Sequence, residues 1–380
     1  VSKRFVPLSS PDISPEDIQA VVDVLRSDRL SIGPRIRAFE AAMAQQAHRK
    51  HAIGVNSGTS GLHLCVRGLG IGPGDEVITT PFSFIATTNC LLFEEATPVF
   101  VDIDPGSYNL DPDAIEAAIT PKTKAILPVE VFGNTAHFDR YEQIARKHNI
   151  KLIEDCCEAL GGRLGDRPAG SFGDCGVFGF YPNKQITTGE GGIVVTDDDR
   201  LAELCVSMRN QGRATGRANV YDRLGYNYRM TELSAALGEA QVRRLDEILS
   251  QRRAVAACYN RALAEIDEIH LPPSDDPAFH SWFVYVIRLG DRFDGKDRDL
   301  LMRALRQEGI ETARYFPAIH LQPYIKRTLG TSEGDYPICE HISDRTVALP
   351  FFTSMTPEQV DQIAEALKRC LVRVKKEQVV

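Results

Sequence analysis

From about residue 15 to residue 200 the chain alternates between two hydrophobic rhythms: apolar positions spaced along one helical face, and short, almost wholly apolar runs bounded by Gly, Pro and Asp. Runs of the second kind lie at Glu76–Thr79, Val99–Ile103, Ala125–Val129, Lys151–Ile153, Gly176–Phe180 and Ile193–Thr196. Near-continuous apolar strands are what a sheet buried on both faces requires, and the helix–strand alternation predicts an α/β fold with a mostly parallel sheet. The first helix is predicted at Ser14-Pro15-Glu16-Asp17, a cap followed by proline in the first turn, with Ile18, Val21, Val22 and Leu25 as its packing face.

The texture changes beyond residue 230. A long arginine-rich helical pattern over Leu233–Arg253 leads into a strand at Trp282–Leu289, a helix at Arg298–Glu308, and a final helix from Thr356-Pro357-Glu358 through Val360, Ile363, Leu367 and Leu371. A chain of 380 residues exceeds the size at which one core usually stops growing. Two domains are therefore expected, residues 1–250 and a smaller α+β unit at 251–380, with the boundary near 245–255 and residues 1–30 packing against the smaller unit.

Composition narrows the function classes. The 44 basic and 52 acidic residues give a net charge of −8, which argues against a general nucleic-acid binder. The nine cysteines are scattered without a C-x-x-C pair or a His-spaced partner, so no metal site and no disulfide framework is expected. No window reaches a transmembrane length and the start Val1-Ser2-Lys3-Arg4 leads into no signal-like run, which points to the cytoplasm.

Three segments carry candidate chemistry. Lys184, in Tyr181-Pro182-Asn183-Lys184-Gln185, sits in a turn between two strand-like runs, where a partly desolvated amine can attack a carbonyl; a solvated loop lysine would look the same. Asp155 ends the run Lys151-Leu152-Ile153-Glu154, at the strand end where open α/β sheets bind ligands; it would also serve as a helix cap. Asn56-Ser57-Gly58-Thr59-Ser60-Gly61 opens an apolar helical run whose free N–H groups suit a phosphate, or marks an ordinary N-cap. Gly68-Leu69-Gly70-Ile71-Gly72-Pro73-Gly74 leads from helix to strand, the wrong order for a dinucleotide loop, and reads as a turn. A phosphate cradle, a strand-end aspartate and a turn lysine, in this order along one sheet, match the layout of fold-type I pyridoxal-phosphate enzymes.

In register with that layout, Phe5-Val6-Pro7-Leu8, Gly33-Pro34 with Phe39-Glu40, Asn56-Ser57-Gly58-Thr59, Pro81-Phe82-Ser83-Phe84, Glu154-Asp155, Asn183-Lys184 with Gly189-Glu190-Gly191-Gly192, Gly225-Tyr226-Asn227-Tyr228-Arg229-Met230 and Pro317-Ala318-Ile319-His320 resemble the DegT/DnrJ/EryC1/StrS sugar aminotransferases over nearly the whole chain. The resemblance implies pyridoxal 5'-phosphate as cofactor and Lys184 as both its Schiff-base anchor and the acid–base that shuttles the proton. It implies Asp155 on the pyridine nitrogen, Phe84 on the ring face, Gly58 and Thr59 on the phosphate, and Glu158 near the ring hydroxyl or the substrate. It also implies that Asn227 reaches the cofactor of a neighbouring subunit in a homodimer, that Arg229 contacts phosphate or substrate, and that Tyr315 and His320 lie near a nucleotide-sugar pocket. A structural ion pair for Arg229 and a packed histidine for His320 are the alternatives.

The sequence departs from the family in places. Gly179 stands where the family often has a phosphate-binding serine, Cys156-Cys157 replace smaller residues, and Glu158 replaces Gln or His. The glutamate makes the chain most similar to members that aminate C4 of a nucleotide-linked 4-keto-6-deoxy sugar, in the manner of perosamine synthases, with L-glutamate as donor in a ping-pong cycle. The competing expectations are a dehydratase of the same family, whose known 3-dehydratase branch has histidine in place of Lys184, and a non-catalytic regulator.

Overall fold

The computed structural model describes residues 5–214, 216–217, 219–272 and 280–377; Val1–Arg4, read above for targeting signals, lie outside the described residues. Seven strands, β1 (His51–Val55), β2 (Glu76–Thr79), β3 (Thr97–Phe100), β4 (Thr123–Leu127), β5 (Lys151–Asp155), β6 (Cys175–Gly179) and β7 (Gly192–Thr196), form one sheet. Their order is β1-β7-β6-β5-β4-β2-β3. The pairings β6–β5–β4–β2–β3 are parallel, whereas β7 runs antiparallel to both β6 and β1. Because β7 alone is reversed, the carboxyl ends of β1, β2, β5 and β6 share one edge.

Strand existence follows the apolar runs, but boundaries move. Val99–Ile103 and Ala125–Val129 shift towards the N-terminus, to 97–100 and 123–127. Pro128 has no N–H to give to a ladder, and Ile103 leaves the sheet to bridge Leu110. Strand β1 was not among the expected runs, since His51 and Gly54 dilute its apolar signal. The helix α1 (Pro15–Leu25) has the expected Ser14 capping box, yet its inner face is not the predicted one. Ile18 and Leu25 are exposed, while Asp17 and Val24 are buried. The Asp17 carboxylate accepts from Gln241 Nε2 at 2.7 Å and pairs with Arg244 at 2.9 Å, and this polar anchor turns the helix.

The long helical pattern after residue 230 breaks at Arg244 into Glu232–Arg243 and Leu245–Leu263. The second helix joins two cores. Leu245, Ile248 and Leu249 pack with residues of the large sheet, and Val255, Ala256, Tyr259 and Leu263 pack with those of a three-stranded antiparallel sheet, Ile269–His270, Tyr285–Leu289 and Thr346–Leu349. Helices Gly295–Gln307 and Pro357–Glu377 cover this smaller sheet. The strand predicted from Trp282 begins only at Tyr285, because Trp282 has φ 55°, outside the extended region. Near the N-terminus, Val6 bridges Ile310 beside the smaller sheet, whereas α1 carries Asp17 to Gln241 and Arg244.

Adjacent residues on a strand face opposite sides. At the end of β5, Glu154 therefore points away from Asp155. Its buried carboxylate accepts N–H bonds from Gly170 (2.9 Å), Phe172 (2.6 Å) and Gly173 (2.7 Å) and lies 3.4 Å from Arg49. These bonds hold the loop that feeds β6. Glu154→Gln turns an accepting oxygen into a donor facing N–H groups, and is expected to cost about 2–3 kcal/mol, measured by urea unfolding.

Candidate active site

A cavity of about 650 Å³ opens at the shared carboxyl edge. Gly58 and Thr59 enter it from the start of α3 (Gly58–Gly68), the helix that follows α2 (Pro34–Gln46), Asp155 and Glu158 from the end of β5 and beyond, and Lys184 from the turn after β6. Phe84 reaches it from the segment following β2, and Tyr315 from the side of the smaller sheet. Seven of the residues singled out from sequence thus converge, although they come from segments far apart in the chain.

Asp155 is buried. Its Oδ2 accepts from the Thr87 hydroxyl at 2.7 Å and its Oδ1 from the Cys157 N–H at 3.2 Å. Ser83 lies 3.1 Å from Thr87 and, with the Thr87 proton given to Asp155, is the donor of that pair. Lys184 is mostly enclosed, with Nζ 3.7 Å from Glu158 Oε1 and 3.8 Å from the centre of the Phe283 ring. Burial raises the acid group of Glu158 above its ordinary value, opposed by Lys184 and by the Phe132 N–H bonded at 2.9 Å. Asn183 donates to the Tyr315 hydroxyl at 3.2 Å, which ties the lysine turn to the smaller sheet.

At the other end of the cavity the backbone packs closely. A β-carbon on Gly192 would come within 2.5 Å of the Ser57 carbonyl, and one on Gly58 within 2.7 Å of Cys157 Sγ. One on Gly179 would stand 3.3 Å from the same sulfur. The two departures noted at 157 and 179 are therefore neighbours in one packing arrangement, in which the thiol would crowd a side chain starting from 179.

Three singled-out residues lie apart from the cavity lining. The His320 imidazole is fully buried, bonded to Glu340 at 2.9 Å and packed edge-on against Tyr336. Arg229 donates to Asn210 at 3.0 Å on the flank of β1, and Asn227 is exposed beside it, its carbonyl 3.4 Å from the Asn56 amide. Conversely, Thr87, Asn183 and Phe283 were not assigned roles from sequence. Asn183 stood in the lysine motif, but Thr87 and Phe283 carry no local signal.

This donor set suits an elongated aromatic cofactor with a phosphate at one end. The first N–H groups of α3 have no intrahelical partners and face the phosphate end, a buried carboxylate stands ready for a ring nitrogen, and an amine for an aldehyde. The model of the DegT/DnrJ/EryC1/StrS aminotransferase family matches residues 11–368. The chain belongs to that family. It is a pyridoxal-phosphate-dependent aminotransferase. GDP-perosamine synthase of Caulobacter vibrioides is 40% identical over 343 residues, covering 90% of this chain and 91% of that protein. The structure of Helicobacter pylori PseC, an aminotransferase involved in the biosynthesis of pseudoaminic acid, superposes with a TM-score of 0.91 at 28% identity, covering 97% and 100% of the two chains. NtdA from Bacillus subtilis, solved with bound cofactor PMP, gives 0.86 at 30% identity over 95% and 83%.

Behind the site of this aminotransferase lies a further buried acid, Glu130. Glu130, Glu154 and Cys156 bring their ligand atoms within 4.8 Å of one another, but the oxygens of Glu154 are already engaged by N–H groups. Neither carboxyl oxygen of Glu130 has a hydrogen-bond acceptor or donor partner among the described residues. Burial and the field of Glu154 push the Glu130 acid well above the carboxylate range, with the Cys156 thiol opposing only in part. Glu130 is then neutral when folded and ionised when unfolded, so its contribution is favourable below about pH 4.5 and is lost as pH rises above that. Glu130→Gln should accordingly stabilise the protein by up to about 3 kcal/mol at neutral pH. The gain should disappear below about pH 4, which thermal melts across pH will show.

Proposed function

We propose that this aminotransferase transfers the amino group of L-glutamate to a nucleotide-linked keto sugar, a 4-keto-6-deoxy sugar in particular, in two successive half-reactions at one site. The observation that carries the reading is the convergence of Lys184, Asp155 and Glu158 in one cavity beside the phosphate-suited start of α3. The 40% identity to a GDP-perosamine synthase supports a nucleotide-linked sugar acceptor. When bound, pyridoxal phosphate supplies an electron sink for the bonds at the donor carbon.

The protein's own groups do the rest. Lys184 would hold the cofactor covalently, and its free amine would take and return the proton at the donor carbon. Asp155, kept in place by Thr87, holds a proton on the ring nitrogen. Gly58 and Thr59 bind the phosphate and Phe84 covers the ring. Glu158 faces the lysine amine and the substrate side, and Tyr315 closes the substrate end. Arg229 and His320 have their partners outside the cavity lining, in Asn210 and Glu340.

Exposed Asn227, beside the start of α3, completes the phosphate site of a second copy, making the working unit a homodimer. The cofactor domain spans residues 1–250 and the smaller domain 251–380. Among the described residues no helix is long and apolar enough to cross a membrane, and the enzyme works on its substrates in the cytoplasm.

The test is spectroscopic. Wild type with pyridoxal phosphate should show the near-visible band of a lysine-bound cofactor, and L-glutamate should convert it to the pyridoxamine form. Lys184→Ala should lack the band and lose turnover by at least about 10²-fold. A wild-type band that no amino acid discharges would sink the reading. Supplying 4-keto sugar nucleotides to the pyridoxamine form should restore the band, and release of water without amine transfer would instead mark a dehydratase.

A further inference from the structure

The amine of Lys184 lies between two unlike surfaces, the Glu158 carboxylate at 3.7 Å and the face of the Phe283 ring at 3.8 Å. From this geometry we infer that Phe283 is a positioning residue whose electron-rich face seats the Lys184 ammonium whenever the lysine is not joined to the cofactor. The inference rests on Lys184 being the cofactor-binding lysine.

The seat is built rigidly. Phe283 is 2% exposed, and its ring lies parallel to Tyr315, with an angle of 11° and a centroid separation of 6.2 Å. Arg252, from the helix that joins the two cores, donates to the carbonyls of Trp282 and Phe283, each at 2.9 Å. Gln185, next to Lys184, donates to the Glu158 carbonyl at 2.6 Å and to Ser281 at 2.8 Å. One network thus fixes ring, carboxylate and lysine turn relative to one another. An aliphatic side chain would fill the same space, but only an aromatic ring presents a negative face to a cation. Besides Glu158, the titratable groups whose fields reach this site are Asp155 and Cys157, with the Tyr315 hydroxyl beyond the ring.

The ring face that seats the Lys184 Nζ must release it before the amine can attack an aldehyde. The readout is therefore the rate at which full-length apoenzyme, saturated with pyridoxal phosphate, joins it covalently, followed by absorbance. Replacing Phe283 with mono-, di- and trifluorophenylalanine drains the ring face at nearly constant shape. At neutral pH the joining rate should rise stepwise, by about fivefold over the series. Phe283→Tyr should match wild type, and Phe283→Leu should match the trifluoro end. Rates that ignore fluorination would show a merely space-filling ring and overturn the inference. A Lys184→Ala apoenzyme that still joins the cofactor would instead overturn the assignment of Lys184, and this inference with it.

Discussion

Two carboxylates on consecutive residues of a buried strand must each find an answer to desolvation, and β5 supplies different answers on its two faces. Glu154 is surrounded by three backbone N–H groups and Arg49, which uses its accepting capacity and anchors the loop before β6. Among the described residues, the Asp155 carboxylate accepts hydrogen bonds from a threonine hydroxyl and one backbone N–H. An ionised carboxylate offers about four lone-pair sites, so Asp155 keeps capacity that points into the cavity. The fully satisfied acid builds the wall, and the partly satisfied one remains available for chemistry. Glu130, packed behind both, has its acid group pushed up by burial first and by the field of Glu154 second.

The phosphate end is set by contact distances rather than by charge. Gly192 lets β7 pass against Ser57, and Gly58 and Gly179 leave room for the Cys157 side chain. A reversed strand, β7, fits between β1 and β6 and still leaves their carboxyl ends on one edge. The start of α3 thereby lines the same cavity as Lys184 and Asp155.

The substrate end depends on the joining of two cores through one helix, Leu245–Leu263. Its buried Arg252 grips the backbone at Trp282 and Phe283 and so presents the Phe283 ring to Lys184. Asn183 and Tyr315 make a second tie across the same gap. The lysine turn is thus braced from the side opposite the sheet that carries it.

What the sequence by itself determined is what depends on neighbours along the chain. The apolar runs mark the buried strands, the Ser14 cap marks the first helix, and the ordered motifs around Gly58, Asp155 and Lys184 announce a pyridoxal-phosphate aminotransferase before any contact is known. What only the tertiary structure decided is what depends on residues distant in sequence. Asp17 rather than Ile18 faces inward because Gln241 and Arg244 wait for it. His320 is packed against Glu340 rather than turned to the cavity. Thr87 and Phe283 join the site through contacts with Asp155 and Lys184 that no spacing encodes. Periodicity records which face of an element is apolar; the choice among polar partners is made only when the elements meet, since the energy of a buried charge depends on what surrounds it.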